Sequence, residues 1–314
     1  MRNEAYIKRT HTKMESVLEL YAKHIFQTVA TAENVLAMQT MEHLRKPPKA
    51  EDMAPIVPGT QWGKEYGNMW LRTSFTVPET LAGQQLCVIP DVHATEILCF
   101  KNEVPAGIIN SKNDFLGGNH SAMFLEADAV AGTTIDIALE CYAGHDCPGT
   151  QPYEFYDWNG VVESDYVHTY EGVRIVVLDK VIRDFCFDLA TALQLAGLPG
   201  ENFAGMKAHQ ALMAAFPYLI QDTREATVEE LRASAAKVSE MLAPALEKGT
   251  GDLSRGRVFV VGHSHMDTAW LWPVEETIRK CARTYSQALT LMDLYPEYTF
   301  IQSSVLHLDW MKQY

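Results

Sequence analysis

The spacing of apolar residues changes several times along the chain, and each change marks a predicted structural region. Between residues 11 and about 37 apolar residues recur at three- and four-residue steps, which predicts an amphipathic helix. The prolines of KPPKAEDMAPIVPG then end any helix, because proline lacks an amide donor and restricts the residue before it. We therefore expect residues 1–58 to form an N-terminal helix and a linker.

Residues 59–178 have the pattern of an antiparallel β-domain. Short runs such as QLCVIP and TIDIALECY, rich in residues that favour strands, alternate with turn-forming stretches such as PETLAG. Several short strands at this spacing predict a β-sandwich of the jelly-roll type.

Helical periodicity returns after Asp179 and continues to about residue 254. One apolar stripe stops at GLPGEN, and a second helix opens at Thr227, where Thr227 and Glu230 have the spacing of a capping box. The polar, glycine-rich EKGTGDLSRGR follows. Residues 179–254 are thus predicted to be a helical linker region.

The last segment, residues 255–314, has a different order of elements. RVFVVGHSH and YTFIQSS read as buried strands, each followed by a helix, and Pro273 suits the first turn of the first helix. Strand, helix, strand, helix is the opening of an α/β fold with a parallel sheet. The fold class we predict is therefore multidomain α+β.

Composition and charge narrow the choice of partners and location. The net charge of −14 comes from acidic residues spread along the chain, which repel phosphate backbones and exclude nucleic acid. The N-terminus lacks an apolar signal core, and no apolar run approaches the roughly 20 residues that span a bilayer. We expect a cytoplasmic protein with no membrane partner, whose six cysteines are free thiols. A Cys141–Cys147 bridge is the alternative.

A cluster of polar and aromatic residues follows the first strand of the last segment. His263, His265 and Asp267 alternate, so they can share one face at the strand end, where α/β folds place active sites. Imidazole nitrogen and carboxylate oxygen bind zinc, and Trp270 and Trp272 add flat apolar surface that suits a sugar ring. The residues alone leave three interpretations open: a metal site, an acid–base cluster without metal, or a structural role.

The motif GHSHMDTAWLWPVEETIRKCARTYS resembles the start of the catalytic domain of class II α-mannosidases, glycoside hydrolase family 38, especially its cytosolic and bacterial branch. LYPEYTFIQSS and DWMK share this resemblance, and VPGTQWG resembles the accessory domain more loosely. The resemblance implies that His265 and Asp267 bind Zn²⁺ or another divalent metal. It implies that Trp270 packs against mannose, and His263 fits a second-shell or structural role.

Five further residues of this segment need an interpretation beside the family pattern. We expect structural roles for Trp272 and Arg283. Ser304 and Leu306 stand where family members often have glutamine, and His307 is expected to be an ordinary helix residue.

By resemblance, the parent protein is a zinc-dependent retaining exo-α-mannosidase that removes terminal α-mannose from mannose-containing oligosaccharides. Residues 255–314 would then begin an incomplete (β/α) barrel. The nucleophile and general acid are expected downstream of Tyr314, so this chain would hold no catalytic residue and be inactive alone. A homo-oligomeric parent enzyme is a further expectation.

Two alternative functions remain open from the sequence. Amidohydrolase-like and metallo-β-lactamase-like enzymes also use H-x-H, although the lactamase type needs a histidine where Thr268 stands. The other alternative is a non-catalytic carbohydrate-binding module.

Overall fold

The computed structural model describes residues 2–64, 66–110, 121–144, 156–157, 160–161, 168–198, 203–222, 224–247, 259–268, 270 and 272–314. The chain divides into two compact units. The first holds the described residues within Met1–Gln27 and Leu178–Val258, and the second those within Thr28–Asp114, Gly118–Val177 and Phe259–Tyr314. The first unit therefore joins the N-terminal helix to helices that follow the sheets in sequence.

The described part of the first unit contains four α-helices. They are α1 (Arg2–Ala22), α2 (Lys180–Ala196), α3 (Phe203–Ala215) and α4 (Val228–Leu246). Helix α2 packs against the other three, and its buried Phe185 lies 4.8 Å from the Tyr21 ring of α1, measured between ring centres. The Tyr21 hydroxyl lies 2.8 Å from Ser234 Oγ of α4, so this buried hydroxyl has a hydrogen-bond partner.

Local capping explains where α2 and α4 begin. The Asp179 carboxylate accepts a hydrogen bond from the Ile182 amide at 3.1 Å. Thr227 Oγ1 accepts from the Glu230 amide at 3.2 Å, and the Glu230 carboxylate accepts from the Thr227 amide at 2.8 Å. These bonds satisfy amides that the first helical turn leaves unpaired. The predicted helix after Asp179 and the predicted capping box are both confirmed.

The single helix predicted for residues 11–37 is wrong in its second half. Helix α1 ends at Ala22, and strands β1 (Phe26–Thr31) and β2 (Leu36–Thr40) follow it. Asn34 between them has a φ of 52°, a left-handed conformation that turns the chain. Sheet pairing overrides the apparent helical spacing here, because β-strand preference depends mainly on neighbouring strands.

Two antiparallel sheets dominate the second unit. The remaining strands of these sheets are β3 (Ala54–Pro55), β5 (Asn68–Thr76), β6 (Leu86–Asp91), β7 (Glu96–Lys101), β8 (Val104–Ile109), β9 (Met123–Glu126), β10 (Thr134–Tyr142) and β14 (Gly172–Leu178). The six-stranded sheet has the order β3-β2-β5-β10-β7-β8, and the four-stranded sheet has the order β1-β14-β6-β9. Small ladders join β4 (Thr60–Trp62) to β13 (His168–Tyr170) and β11 (Tyr156–Asp157) to β12 (Gly160–Val161).

One apolar core lies between the two sheets. Met69 and Leu71 of β5 share this core with Leu86 and Val88 of β6, so the sheets pack face to face. Alternate residues along a strand point to opposite faces, which is why every second residue enters the core. The predicted antiparallel β-region is confirmed as part of a mixed α/β chain.

The last segment adds β15 (Gly262–His263), α5 (Val274–Leu294), β16 (Phe300–Ile301) and α6 (Val305–Met311). Strands β15 and β16 pair in parallel, which confirms the predicted strand–helix–strand–helix order. The predicted burial of both strands is wrong, because Phe259 and Val260 are each 85% exposed and Ile301 of β16 is 57% exposed. Among the residues that the structure describes, β15 pairs only with β16. This two-stranded sheet does not bury the side chains of Phe259 and Val260.

Helix α5 packs against strands β7 and β8 with a face that is largely polar. Ile278, Cys281, Ala282 and Ala288 are buried apolar residues of this helix, but Leu289 is exposed. The Gly107 amide of β8 donates to Ser286 Oγ at 2.8 Å. A Cβ on Gly107, whose φ is +128°, would lie 3.3 Å from Thr290 Oγ1, so glycine permits this close approach.

Cys87, Cys99, Cys141, Cys186 and Cys281 are buried and form no disulfide, whereas Cys147 lies outside the described residues. Within the part of the chain that the structure covers, no helix is long and apolar enough to cross a membrane.

Candidate functional site

The candidate site is a cleft of about 220 Å³ beside the end of β15. Side chains from a loop, a helix and the six-stranded sheet meet there, all within the second unit. The lining residues are Glu96, Ile108, Ser264, His265, Met266, Asp267, Trp272, Lys280, Arg283 and Thr284. Strand β15 leads directly into the loop part of the lining, which is where parallel α/β folds place ligands.

His265 and Asp267 lie side by side at this cleft. His265 Nε2 is 3.2 Å from Asp267 Oδ1, and both side chains are open to solvent. Two ligands at zinc–ligand distances of about 2.0–2.2 Å in a tetrahedral site are about 3.4 Å apart, so the pair has a suitable separation. In the described part of the chain no group of three or more His, Cys, Asp or Glu could hold a metal. The pair thus fits two of the three or four protein ligands that zinc takes.

The two tryptophans next to this pair differ in how firmly they are held. Trp272 Nε1 donates to Thr277 Oγ1 at 3.0 Å, and Lys280 Nζ lies 4.6 Å from the centre of the Trp272 ring. Trp270 meets Trp272 edge-on with 5.6 Å between ring centres, and Trp270 remains 53% exposed. Trp272 is therefore fixed by its contacts, while Trp270 presents open aromatic surface.

His263 is separate from the pair. It belongs to β15, its side chain is exposed, and it is not among the residues that line the cleft. The structure therefore brings His265 and Asp267 together and leaves His263 outside the cleft.

A buried ion cluster forms the floor of the cleft. Arg283 is 2% exposed, and its Nε lies 2.6 Å from Glu96 Oε2 of strand β7. Its Nη2 pairs with the carboxylate of Glu276 on the same helix, and the guanidinium lies 5.3 Å from the centre of the Tyr142 ring. The structural role expected for Arg283 is confirmed, because it joins helix α5 to the sheet.

Burial and neighbouring charge act in opposite directions on the three carboxylates of this cluster. For Glu96, burial would raise the pKa, but the charges of Arg283 and Lys280 lower the pKa below its ordinary value. Burial raises the pKa of Glu276, with Arg283 opposing it. Burial also raises the pKa of Glu140 to about 7, although Arg279 Nε lies 3.4 Å from its carboxylate. Glu96 is thus held as a charged partner of the two cations rather than as a free acid.

His307 is a supporting residue that the sequence analysis missed. It is buried in α6, its Nε2 lies 3.1 Å from Thr268 Oγ1, and its ring stacks on Trp310 with 5.5 Å between ring centres. Burial lowers its pKa below the ordinary value, which favours the neutral ring. Thr268 follows Asp267 directly, so His307 steadies the loop of the site. One feature of the sequence could have indicated this role. His307 lies in the first turn of the helix that follows β16, and β16 is the strand that pairs with β15.

Comparison with known proteins identifies the segment that carries the site. Residues 255–314 match the family described as glycosyl hydrolases family 38 N-terminal domain. The chain is 26% identical to human α-mannosidase 2C1 over 264 residues, covering 83% of this chain and 24% of that protein. It is 48% identical to Saccharomyces cerevisiae α-mannosidase over 54 residues, covering 17% of this chain and 5% of that protein.

Among solved structures, a β-glucuronidase from Faecalibacterium prausnitzii matches at a TM-score of 0.32 and 13% identity, covering 49% of this chain and 31% of that one. A likeness at that level carries no argument about fold or function.

The match to the N-terminal domain of glycosyl hydrolase family 38 covers residues 255–314, the segment that contains His265 and Asp267. The resemblance inferred from the sequence motif is therefore confirmed. The chain spans 24% of the length of human and of mouse α-mannosidase 2C1.

Proposed function

We propose that this chain supplies the metal-binding and sugar-binding part of a zinc-dependent retaining exo-α-mannosidase that acts on terminal α-mannose of glycans. The observation that carries the proposal is the pairing of His265 with Asp267, 3.2 Å apart at a strand end, inside the segment that matches the family. The names of the curated relatives support α-mannoside as the substrate. They favour a glycoside hydrolase over an amidohydrolase-like or lactamase-like enzyme and over a binding module.

In this proposal, His265 Nε2 and Asp267 Oδ1 hold the metal. A bound zinc ion would act as a Lewis acid toward sugar hydroxyls. Trp270 offers its exposed ring to the apolar C–H face of mannose, and Trp272 fixes the edge of that ring. Lys280 of helix α5 contacts the Trp272 ring. This contact attaches the pair of tryptophans proposed to bind the sugar to helix α5.

The proposal assigns neither the nucleophile nor the general acid to a described residue. A retaining glycosidase places two carboxyl groups about 5–5.5 Å apart across the scissile bond. Glu96 lines the cleft, but it forms ion pairs with Arg283 and Lys280. These ion pairs attach helix α5 to strand β7, so we do not assign Glu96 a catalytic role. We also propose that the two sheets form a jelly-roll accessory domain, that β15 to α6 belong to a (β/α) barrel, and that the protein is cytoplasmic.

A segment exchange tests whether these residues perform the proposed roles. The 54-residue segment of yeast α-mannosidase that is 48% identical to this chain would be replaced by this chain's residues. We expect the chimera to hydrolyse an aryl α-mannoside. His265→Ala and Asp267→Ala in the chimera should each lower kcat/KM by at least about 10³-fold, since removing one ligand compromises a three- or four-ligand site.

Two further variants of the chimera make the test specific. Trp270→Ala should mainly raise KM, and His263→Ala should leave most of the turnover, because His263 lies outside the cleft. An active chimera that keeps its turnover after His265→Ala would contradict the proposal.

A further inference from the structure

Two histidine side chains meet between helices α1 and α3 of the first unit, and the function proposed above uses neither. His11 Nε2 lies 3.2 Å from His209 Nδ1, and the ring centres are 5.3 Å apart with 59° between the ring planes. The two residues are 198 positions apart in the sequence, so only the fold brings them together. We call them the His11–His209 pair.

The pair lies in a groove that is open to solvent. The groove has a volume of about 540 Å³, and both histidines are partly exposed. Lys8 and Glu15 line the groove from α1, and Ala196 lines it from α2. Within the lining that the structure describes, these two opposite charges on α1 are the only charged groups besides the pair, and α2 adds no titratable group. Protons from solvent therefore reach the pair directly.

A hydrogen bond can join the two rings in some protonation states but not in others. A neutral imidazole has one N–H donor and one acceptor nitrogen, and the 3.2 Å separation is a hydrogen-bond distance. A pair that has taken up one proton keeps the bond, because the charged ring donates to the neutral ring. A pair that has taken up two protons has an N–H on both facing nitrogens. The bond is then lost, and two positive rings 5.3 Å apart repel each other.

Burial acts in the same direction as this repulsion. Burial is the largest cause that lowers the pKa of His11 below its ordinary 6.5, the charge of His209 lowers the pKa as well, and Glu15 opposes both. Because this folded-state pKa lies below that of the unfolded chain, the folded protein binds fewer protons between the two values. The stabilising contribution of the pair is therefore complete above the ordinary pKa and is lost as pH falls through the folded-state pKa.

The pair stands where the buried apolar stripe of α1 begins. Met14, Val17 and Tyr21, which follow His11 on α1, are buried. Tyr6, which precedes it, is 56% exposed. Apolar packing therefore holds the C-terminal half of α1 independently of the pair. The N-terminal half, residues 2–12, has less of this packing, so its position depends more on the contact with α3.

We propose that the His11–His209 pair is a pH-sensitive latch, which holds residues 2–12 of α1 against α3 while it carries at most one proton and releases them when it takes up a second. The release is local, since the buried apolar residues keep the rest of α1 in place. The latch lies in the first unit, whereas His265 and Asp267 belong to the second. The proposal therefore does not rest on the function proposed for that site.

Hydrogen exchange of the 314-residue chain, read by mass spectrometry at about pH 7.5 and about pH 5, measures this release. Protection is expressed relative to the chemical exchange rate at each pH. A peptide that covers residues 2–12 should lose at least about tenfold in protection at the lower pH, the combined effect of one hydrogen bond and the charge repulsion. Residues 14–22 should keep their protection. Equal protection of residues 2–12 at both pH values, or an equal loss in both segments, would overturn the proposal.

Two variants separate the latch from the other histidines of the chain. Glutamine at position 209 can still hydrogen-bond to His11 but takes up no proton, so residues 2–12 of His209→Gln should stay protected at the lower pH. His24 follows α1 in the same unit and does not line the groove, so His24→Gln should lose protection as the unchanged chain does. An acid-induced loss that persists in His209→Gln would refute the latch.

The imidazole ¹⁵N signals of the unchanged chain provide a check that needs no variant. The two rings should take up protons in two separate steps, and residues 2–12 should lose protection with the second step. A loss of protection that accompanies the first step, or two rings that titrate independently of each other, would also overturn the proposal.

Discussion

Replacing Arg283 by methionine should strongly destabilise the second unit. The guanidinium is 2% exposed, and it pairs with two carboxylates, Glu96 and Glu276, while facing the Tyr142 ring. Methionine fills similar space but leaves the buried Glu276 and the partly buried Glu96 with only their weaker partners. Lys280 lies 3.7 Å from Glu96, for example. Breaking a buried ion pair by removing one partner costs about 3–5 kcal/mol, and we expect a loss of that size in the free energy of unfolding.

Urea unfolding followed by tryptophan fluorescence measures this loss. The five tryptophans that the structure describes all belong to the second unit, so the signal reports the unit that contains Arg283. Urea leaves ion pairs unscreened, whereas a guanidinium salt would weaken them. Glu276→Gln and the Glu276→Gln/Arg283→Met pair complete a double-mutant cycle. The double variant should lose less free energy of unfolding than the sum of the two single variants' losses. The reason is that Glu276→Gln removes the negative charge that Arg283→Met leaves without its partner.

Lys312→Met is the matched control for this measurement, because Lys312 also belongs to the second unit. Lys312 pairs with a carboxylate, Asp309, but both side chains are exposed, and such pairs contribute little. We expect no measurable change for this variant. A loss below about 1 kcal/mol for Arg283→Met, or additive losses in the cycle, would refute the reasoning that buried ion pairing joins α5 to the sheet.

Further predictions concern pH, backbone geometry, capping and thiols. The folded-state pKa of Glu140, about 7, exceeds its ordinary 4.5, so stability should fall as pH rises through that range. At about 1.4 kcal/mol per pH unit the fall is about 3 kcal/mol, and urea titrations should show it absent in Glu140→Gln. Gly107→Ala should cost more than about 1 kcal/mol in urea, given its φ of +128°. Thr227→Ala should cost about 1 kcal/mol of helix stability by circular dichroism. A thiol reagent should count six thiols in the denatured, unreduced chain; four would show a disulfide.

Features that depend on nearby residues were predictable from the sequence. The capping box of α4 needs only Thr227 and Glu230, three positions apart. The pairing of His265 with Asp267 follows from their i, i+2 spacing after a strand. The family was recognisable because its motif is continuous in the sequence, within residues 255–314.

Features that depend on distant partners were not predictable in the same way. The polar face of α5 is buried because Glu96 and Glu140, from strands far back in the chain, meet Arg283 and Arg279. The apolar residues of β1 and β2 have helical spacing by chance. Only their pairing with other strands of the sheets favours strand over helix. His307 gains its role from Thr268, a contact that spans 39 positions.

The most direct test of the central claim is cobalt(II) absorption of the 314-residue chain, since cobalt substitutes for zinc and its visible bands report nitrogen and oxygen ligands. We expect weak, saturable binding with one cobalt ion per chain, because two protein ligands stand together. His265→Ala and Asp267→Asn should abolish the bands, and His263→Ala should retain them. Loss of the bands in His263→Ala with retention in Asp267→Asn would contradict the claim, and would indicate an H-x-H metal site instead.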